Sequence, residues 1–280
     1  MKSKGAIAKM VEVSGARKGD MVLEIGPGLG VLTDAILATG ANALAVEKDD
    51  RLIPILREKF EKEIKSGQLK LIHADILDFD MSKIPFGKNA PRGILDTYKV
   101  VANIPYYITG QVIRKFLEVE NQPRSMTLLV QKEVAERIVA KDGKESLLSL
   151  SVKAYGEPRY IQTVKRGSFT PAPNVDSAII HIANISREKF QRSNLGDIGL
   201  TFKTEDGKNT EISEQKFFEL IHAGFAHKRK QLLPNLSVLY SKDALASAFE
   251  KCNIPLKSRA EDIPLQNWLK LCKSLFNVFD

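Results

Sequence analysis

Met21-Val22-Leu23-Glu24-Ile25-Gly26-Pro27-Gly28-Leu29-Gly30 reads as a short apolar strand that runs into a glycine turn, and the following Leu32–Thr39 reads as a helix. Strand, tight turn and helix in that order make the first unit of a parallel βαβ sheet. Glycines make the tight turn and let backbone N–H groups approach a ligand closely. The spacing departs from the dinucleotide fingerprint, which would put its third glycine at Val31, whereas it stands at Gly30. Pro27 stiffens the loop.

Outward from this turn, short β-forming runs alternate with helical patterns. Ala43–Val46 is a second strand that ends at Glu47, and Leu52–Phe60 has helical spacing. Leu69–Ile72, Tyr98–Ala102 and Met126–Val130 are further strands, and Val134–Val139 is helical. Tyr160–Val164 and Ser177–Ile182 add two later strands, rich in β-branched residues. The fold class predicted is α/β: a Rossmann-like, mostly parallel sheet followed by a small all-helical C-terminal domain. Phe217, Leu220, Ile221, Gly224 and Phe225 form one helical stripe there, and Leu265, Trp268, Leu269, Cys272 and Phe276 a second. The expected domains are residues 1–185, a polar linker or small excursion over 186–212 with an Asp206-Gly207 hairpin signal, and 213–280.

The chain has 280 residues, 43% of them hydrophobic and 27% charged, which excludes disorder and collagen-like classes. No apolar run approaches the ~18 residues of a membrane span, and Met1–Gly5 lead into no secretory signal, so a cytoplasmic protein without membrane partners is expected. Cys252 and Cys272 read as buried free thiols. Lys and Arg number 42 against 34 Asp and Glu, a net charge of +8 that suits a surface facing nucleic acid and equally suits a basic enzyme. His222 and His227 are five apart and share no helical face, so no metal site is expected.

Glu47 lies at the C-terminal end of the second strand, 21 residues beyond Gly26, where an acid can accept both hydroxyls of a ribose. Asp75 follows the third strand, where a carboxylate can accept from an adenine amino group. With the glycine turn, these acids describe an adenosine-containing ligand along the carboxyl edge of a parallel sheet.

The fourth strand ends in Asn103-Ile104-Pro105-Tyr106. An adenine amino nitrogen is a poor nucleophile because its lone pair is delocalised into the ring. The Asn103 amide oxygen and the Ile104 carbonyl can each accept one of its N–H groups, pulling the nitrogen toward tetrahedral geometry. Pro105 fixes the carbonyl's direction, and Tyr106 offers a stacking face.

These motifs resemble the family of S-adenosylmethionine-dependent ribosomal RNA adenine N6-dimethyltransferases. The likeness runs from about Lys9 to Arg259, through Val22–Gly30, Asn103–Thr109, Gln131-Lys132-Glu133-Val134-Ala135-Glu136-Arg137, Phe169-Thr170-Pro171-Ala172-Pro173-Asn174-Val175-Asp176-Ser177 and Phe225-Ala226-His227-Lys228-Arg229-Lys230. The resemblance implies two successive methyl transfers to each of two adjacent adenosines in small-subunit rRNA, on the rRNA or a pre-30S particle, by a monomer. It implies S-adenosylmethionine as cofactor, S-adenosylhomocysteine as product, and no metal. The resemblance puts the cofactor on Gly26, Glu47, Asp75 and Asn103, and the expected cofactor-binding set also takes in their neighbours Glu24, Gly28, Gly30 and Ile76. Catalytic positions are Asn103, Ile104, Pro105, Tyr106 and Phe169, with Phe169 facing Tyr106 across a flipped base. Lys165, Arg166 and Lys228-Arg229-Lys230 are the RNA-facing cations, the last three read as extending the Phe217–Phe225 helix.

The family has a Gln-Asn-Phe-Leu-like segment before the helix matching Ile7–Val13, and Met1 falls beyond it. Weaker hold on the methionine end of the cofactor is expected from that departure. Two other readings compete. One is a ribosome-assembly factor that binds RNA with little catalysis, against which the intact Asn-Ile-Pro-Tyr tetrad argues. The other is a related resistance-type enzyme acting on large-subunit rRNA.

Overall fold

The computed structural model describes residues 3–81, 98–190 and 213–276. Its strands are β1 (Met21–Ile25), β2 (Asn42–Glu47), β3 (Leu69–His73), β4 (Tyr98–Asn103), β5 (Ser125–Gln131), β6 (Glu157–Val164) and β7 (Ser177–Ala183). Its helices are α1 (Lys4–Ser14), α2 (Val31–Leu37), α3 (Leu52–Lys59), α4 (Glu61–Lys65), α5 (Thr109–Glu118), α6 (Lys132–Val139), α7 (Leu147–Tyr155), α8 (Glu214–Gly224), α9 (Leu232–Leu236), α10 (Lys242–Lys251) and α11 (Leu265–Phe276).

The seven strands form one sheet in the order β3-β2-β1-β4-β5-β7-β6. β3, β2, β1, β4 and β5 pair in parallel, whereas β7 runs antiparallel to both its neighbours. Parallel strands covered on both faces read as continuous apolar runs. Val22, Ala43, Ala45, Val101, Leu129 and Ile179 face one buried cluster, with Ile7 and Met10 of α1 and Leu32 and Ile36 of α2. The intervening Leu23, Leu44, Val100, Ala102 and Leu128 are buried as well. No helix among the described residues is long and apolar enough to cross a membrane.

Two compact units divide the chain: residues 1–135 with 156–185, and residues 136–155 with 186–280. The second unit therefore takes in Glu136–Tyr155, which the sequence reading placed in the first domain. The reason is aromatic packing at the end of α7. Tyr155 stacks on Phe218 at 5.7 Å and meets Phe190 edge-on at 5.6 Å. Phe217, Leu220, Ile221, Trp268 and Cys272 are buried in the same unit, so both C-terminal stripes are core. Cys252 and Cys272 are buried free thiols, and burial pushes the Cys272 thiol up to about 12. Most of the expected linker, residues 191–212 with the Asp206-Gly207 signal, lies outside the described residues.

Candidate active site

Asp75, Glu47, the glycine turn and Asn103 stand at the carboxyl ends of β3, β2, β1 and β4, four consecutive strands of the sheet. Parallel strands lie ~4.8 Å apart, so these groups spread along roughly 14 Å of one edge.

The glycine turn differs from its sequence reading. None of its three glycine N–H groups is presented to a ligand. Gly26 donates to the Val46 carbonyl at 2.9 Å and Gly30 to the Pro27 carbonyl at 2.9 Å. Gly28 donates to Glu47 Oε2 at 3.0 Å. The glycine N–H groups are therefore not donors for an anion, which needs outward N–H groups. The glycines also divide by role. A Cβ on Gly26 or Gly28 would meet nothing within 4 Å. A Cβ on Gly30 would lie 2.4 Å from Phe60 Cε2. Gly30 thus serves close packing of α3 against the turn. Lys59, 35% exposed, clamps the same turn: its Nζ donates to the Leu29 and Gly30 carbonyls and pairs with Asp34 at 2.5 Å.

Beneath the turn, Glu24 is 1% exposed, and neither carboxyl oxygen has a hydrogen-bond partner. By strand alternation it shares the face of Val22, toward α2 and Thr33. Burial pushes its carboxyl up to about 8, and the Thr33 side chain opposes the shift without reaching hydrogen-bond geometry.

Glu47 is buried, and its carboxylate already accepts three backbone N–H groups: Gly28 on Oε2, and Lys48 at 2.8 Å and Asp49 at 2.9 Å on Oε1. A carboxylate has about four lone-pair sites. One site therefore remains on Oε2, where the sequence reading supposed room for two ribose hydroxyls. Asp75 pairs with Lys48 at 2.7 Å and accepts the Leu77 N–H at 2.9 Å. The Lys48 ammonium holds the Asp75 carboxyl below its usual value. Lys48 is 69% exposed, and water competes strongly for so exposed an ion pair, so an amino donor can displace it. Ile76 is buried beside it.

Asn103 is half-buried at the last position of β4, Ile104 is buried and Pro105 exposed. The Tyr106 hydroxyl hydrogen-bonds Ser177 Oγ at 2.7 Å, at the start of β7. That bond ties the Asn-Ile-Pro-Tyr tetrad to the end of the Phe169–Ser177 string, 71 residues away. Tyr107 beside it is 83% exposed. Phe169 is half-buried and packs against the core cluster.

Of the cations, Lys165 pairs with Asp176 at 3.1 Å and Arg166 is exposed, both in the first unit. Lys228, Arg229 and Lys230 are exposed in the second unit. They extend no helix: α8 ends at Gly224 and α9 begins at Leu232, so they occupy a turn. Gly224 packs so closely on Trp268 and Leu232 that no side chain fits there. The buried Asn235 amide pins the turn, donating to the Gly224 carbonyl at 2.6 Å and the His227 carbonyl at 3.3 Å.

Sequence reasoning missed Lys48, Lys59 and Asn235, which bond partners elsewhere in the chain, and Thr33, buried beside Glu24. Ser177 was visible only as the last letter of its motif.

A family model described as "Ribosomal RNA adenine dimethylase" matches residues 1–195. The chain is 40% identical over 272 residues to "Ribosomal RNA small subunit methyltransferase A" of Dehalococcoides mccartyi, covering 96% of this chain and 84% of that protein. The same-named protein of Fusobacterium nucleatum is 38% identical over 267 residues, with 95% and 90% covered. Among solved structures, the 23S rRNA methyltransferase ErmE superposes with a TM-score of 0.72 at 21% identity over 99% of both chains. A dimethyladenosine transferase from Plasmodium falciparum gives 0.71 at 22% identity, over 97% and 95%. The last two comparisons speak for the shared fold, and the first three settle descent: the chain belongs to the ribosomal RNA adenine dimethylase family.

Proposed function

We propose that this protein transfers methyl groups from S-adenosylmethionine to N6 of two adjacent adenosines of small-subunit rRNA, as a cytoplasmic monomer acting on the rRNA or a pre-30S particle. One observation carries the choice of ligand: the three glycine N–H groups of the turn are taken by Val46, Glu47 and Pro27, and the turn covers a wholly buried carboxyl. A turn without free glycine donors over a buried acid is a poor seat for a pyrophosphate, and the open space over Gly26 and Gly28 leaves room for the amino-acid end of the cofactor.

S-adenosylmethionine supplies, when bound, a methyl group already activated on a sulfonium. The protein's part is position and charge complementarity. Glu47 takes a ribose hydroxyl on its remaining lone pair, and Asp75 takes the cofactor's adenine amine in place of Lys48. At the target base, the Asn103 amide oxygen and the Ile104 carbonyl hold the two N6 hydrogens and aim the nitrogen lone pair. Tyr106 stacks on the ring, held by its bond to Ser177. The displaced proton leaves to solvent without a dedicated general base. Half-buried Phe169, at the start of the string that ends in Ser177, closes the base site. Lys165 and Arg166 in one unit, and Lys228–Lys230 in the other, contact phosphates.

The test is methyl transfer from labelled S-adenosylmethionine to unmodified 30S particles, with nucleotide mapping. The expected product is two adjacent N6-dimethyladenosines in small-subunit rRNA. Binding without transfer would mean an assembly factor, and transfer to large-subunit rRNA alone would mean a resistance-type enzyme; either result overturns the proposal.

Glu47→Ala is expected to lower S-adenosylhomocysteine affinity about 10- to 100-fold, from the missing charge-assisted hydrogen bond and a loosened loop. It also strands the Gly28, Lys48 and Asp49 N–H groups, so thermal stability falls with it. Calorimetry and a melting curve measure both, and unchanged affinity refutes the ribose role.

Replacing Lys228, Arg229 and Lys230 with Ala should weaken RNA binding and flatten its salt dependence. The slope of log affinity against log salt should drop by roughly 0.7–0.9 for every phosphate that is no longer neutralised. An unchanged slope would make the turn a merely solvated one.

A further inference from the structure

Glu24 is the least explained group of the site. Its carboxyl is 1% exposed, both oxygens lack a hydrogen-bond partner, and so does the neighbouring Thr33 hydroxyl. A buried carboxylate without a partner is costly enough that the group keeps its proton instead. Burial is the main cause of its raised pKa, about 8; Asp34 on α2 and Glu47 on β2 add to it, while Thr33 and Lys59 act against it. Lys59 gives no relief by contact, because its ammonium is already bound to Leu29, Gly30 and Asp34.

Glu24 precedes Gly26 by two residues at the end of β1, and the space over Gly26 and Gly28 is open. With the ribose assigned to β2, that space is the room left for the amino-acid end, which branches from the sulfonium. That end carries an ammonium. We propose that Glu24 is a proton-coupled counter-charge, neutral in the free protein and ionised when the ammonium of the zwitterionic amino-acid end of the methyl donor or its product binds above it. The inference rests on the cofactor reading given under Proposed function.

The balance is simple. The carboxyl O–H bond breaks, the proton goes to buffer, and the carboxylate stays near an ammonium that keeps its own protons. The free protein thereby avoids an uncompensated buried charge, and in the bound one the carboxylate is paired by the ligand's ammonium. The linkage sign follows from the raised pKa. The unfolded chain gives up this proton near pH 4.5 and the free native protein near 8, so this group makes stability fall as pH rises between the two. Glu24→Gln should remove that slope.

The experiment is calorimetry of the wild-type protein at pH 7 in buffers of different ionisation enthalpy. S-adenosylhomocysteine should release about 0.9 proton, the fraction expected for a group near 8 that ionises on binding. 5′-Methylthioadenosine, the same nucleoside without the amino-acid end, should bind and release none. Glu24→Gln should bind S-adenosylhomocysteine with no proton released. S-adenosylhomocysteine binding without release, or equal release by 5′-methylthioadenosine, overturns the inference while leaving the cofactor reading intact. Failure of S-adenosylhomocysteine to bind at all overturns that reading, and the inference falls with it. If Glu24→Gln does not fold, the two ligands on the wild-type protein decide the matter alone.

Discussion

Asn103→Ala is expected to slow methyl transfer about 100-fold or more while the protein remains folded. The residue closes β4, where register pairing with Leu129 of β5 fixes its backbone. The amide is half-buried at the sheet edge, so its removal opens no core cavity. What disappears is an acceptor held in place before the reaction begins. Removing one such oriented group costs roughly 2.7–4 kcal/mol of transition-state stabilisation. Ground-state binding of cofactor and RNA changes far less, because Glu47, Asp75 and the cations remain. Single-turnover rates on unmodified 30S particles, beside an S-adenosylhomocysteine titration, separate the two effects. A near-wild-type rate would remove Asn103 from the chemistry. A rate loss matched by an equal affinity loss would make it a cofactor ligand only.

The sheet was legible because parallel strands announce themselves locally. Met21–Ile25 is apolar throughout apart from Glu24, and Ile179, Ile180 and Ile182 are β-branched, so all seven strands stand where these runs put them. The reversed direction of β7 was not legible, since an apolar run says nothing of polarity along the sheet. Several helices escaped the sequence reading for a similar reason. α7 interleaves Ser149 and Ser151 with its apolar residues, which blurs the 3.6-residue period; α5 carries a plain stripe of Val112, Ile113, Phe116 and Leu117 behind a Thr109-Gly110 start that reads as a turn. The stripe through Phe225 suggested a helix carrying Lys228–Lys230, but α8 stops at Gly224.

The site shows the same division. Glu47, Asp75 and Asn103 could be placed at or just after strand ends because strand ends are visible in one dimension. Their hydrogen bonds were not, because Gly28 meets Glu47 across 19 residues, Lys48 meets Asp75 across 27, and Lys59 meets the turn across 29 and 30. Those bonds change the chemistry. They turn a glycine loop that resembles an anion site into one whose glycine donors are spent, over an acid whose oxygens are not.

Two alanines in that loop are expected to fail in opposite ways. Gly30→Ala should lower stability by about 2–5 kcal/mol. Its φ of +75° costs an L residue roughly 1–2 kcal/mol. The new Cβ would sit 2.4 and 2.8 Å from the Phe60 ring and 3.2 Å from Leu56. Phe60 is 3% exposed and cannot swing away, so overpacking adds about 1–3 kcal/mol. At roughly 2–4 °C per kcal/mol, the melting temperature should fall by about 10 °C. Gly28→Ala carries similar backbone strain, at a φ of +59°, but its Cβ meets nothing within 4 Å. Its stability loss should stop near 1–2 kcal/mol, the strain alone. The added methyl instead projects into the space assigned to the cofactor, so S-adenosylhomocysteine affinity should fall about tenfold, or 1.4 kcal/mol. Melting curves and titrations of the two variants, side by side, give four numbers. Equal destabilisation would mean that the Phe60 ring is not what requires a glycine at position 30. Unchanged affinity in Gly28→Ala would mean that the open space over the turn holds no ligand, and the cofactor would have to lie elsewhere along the sheet edge.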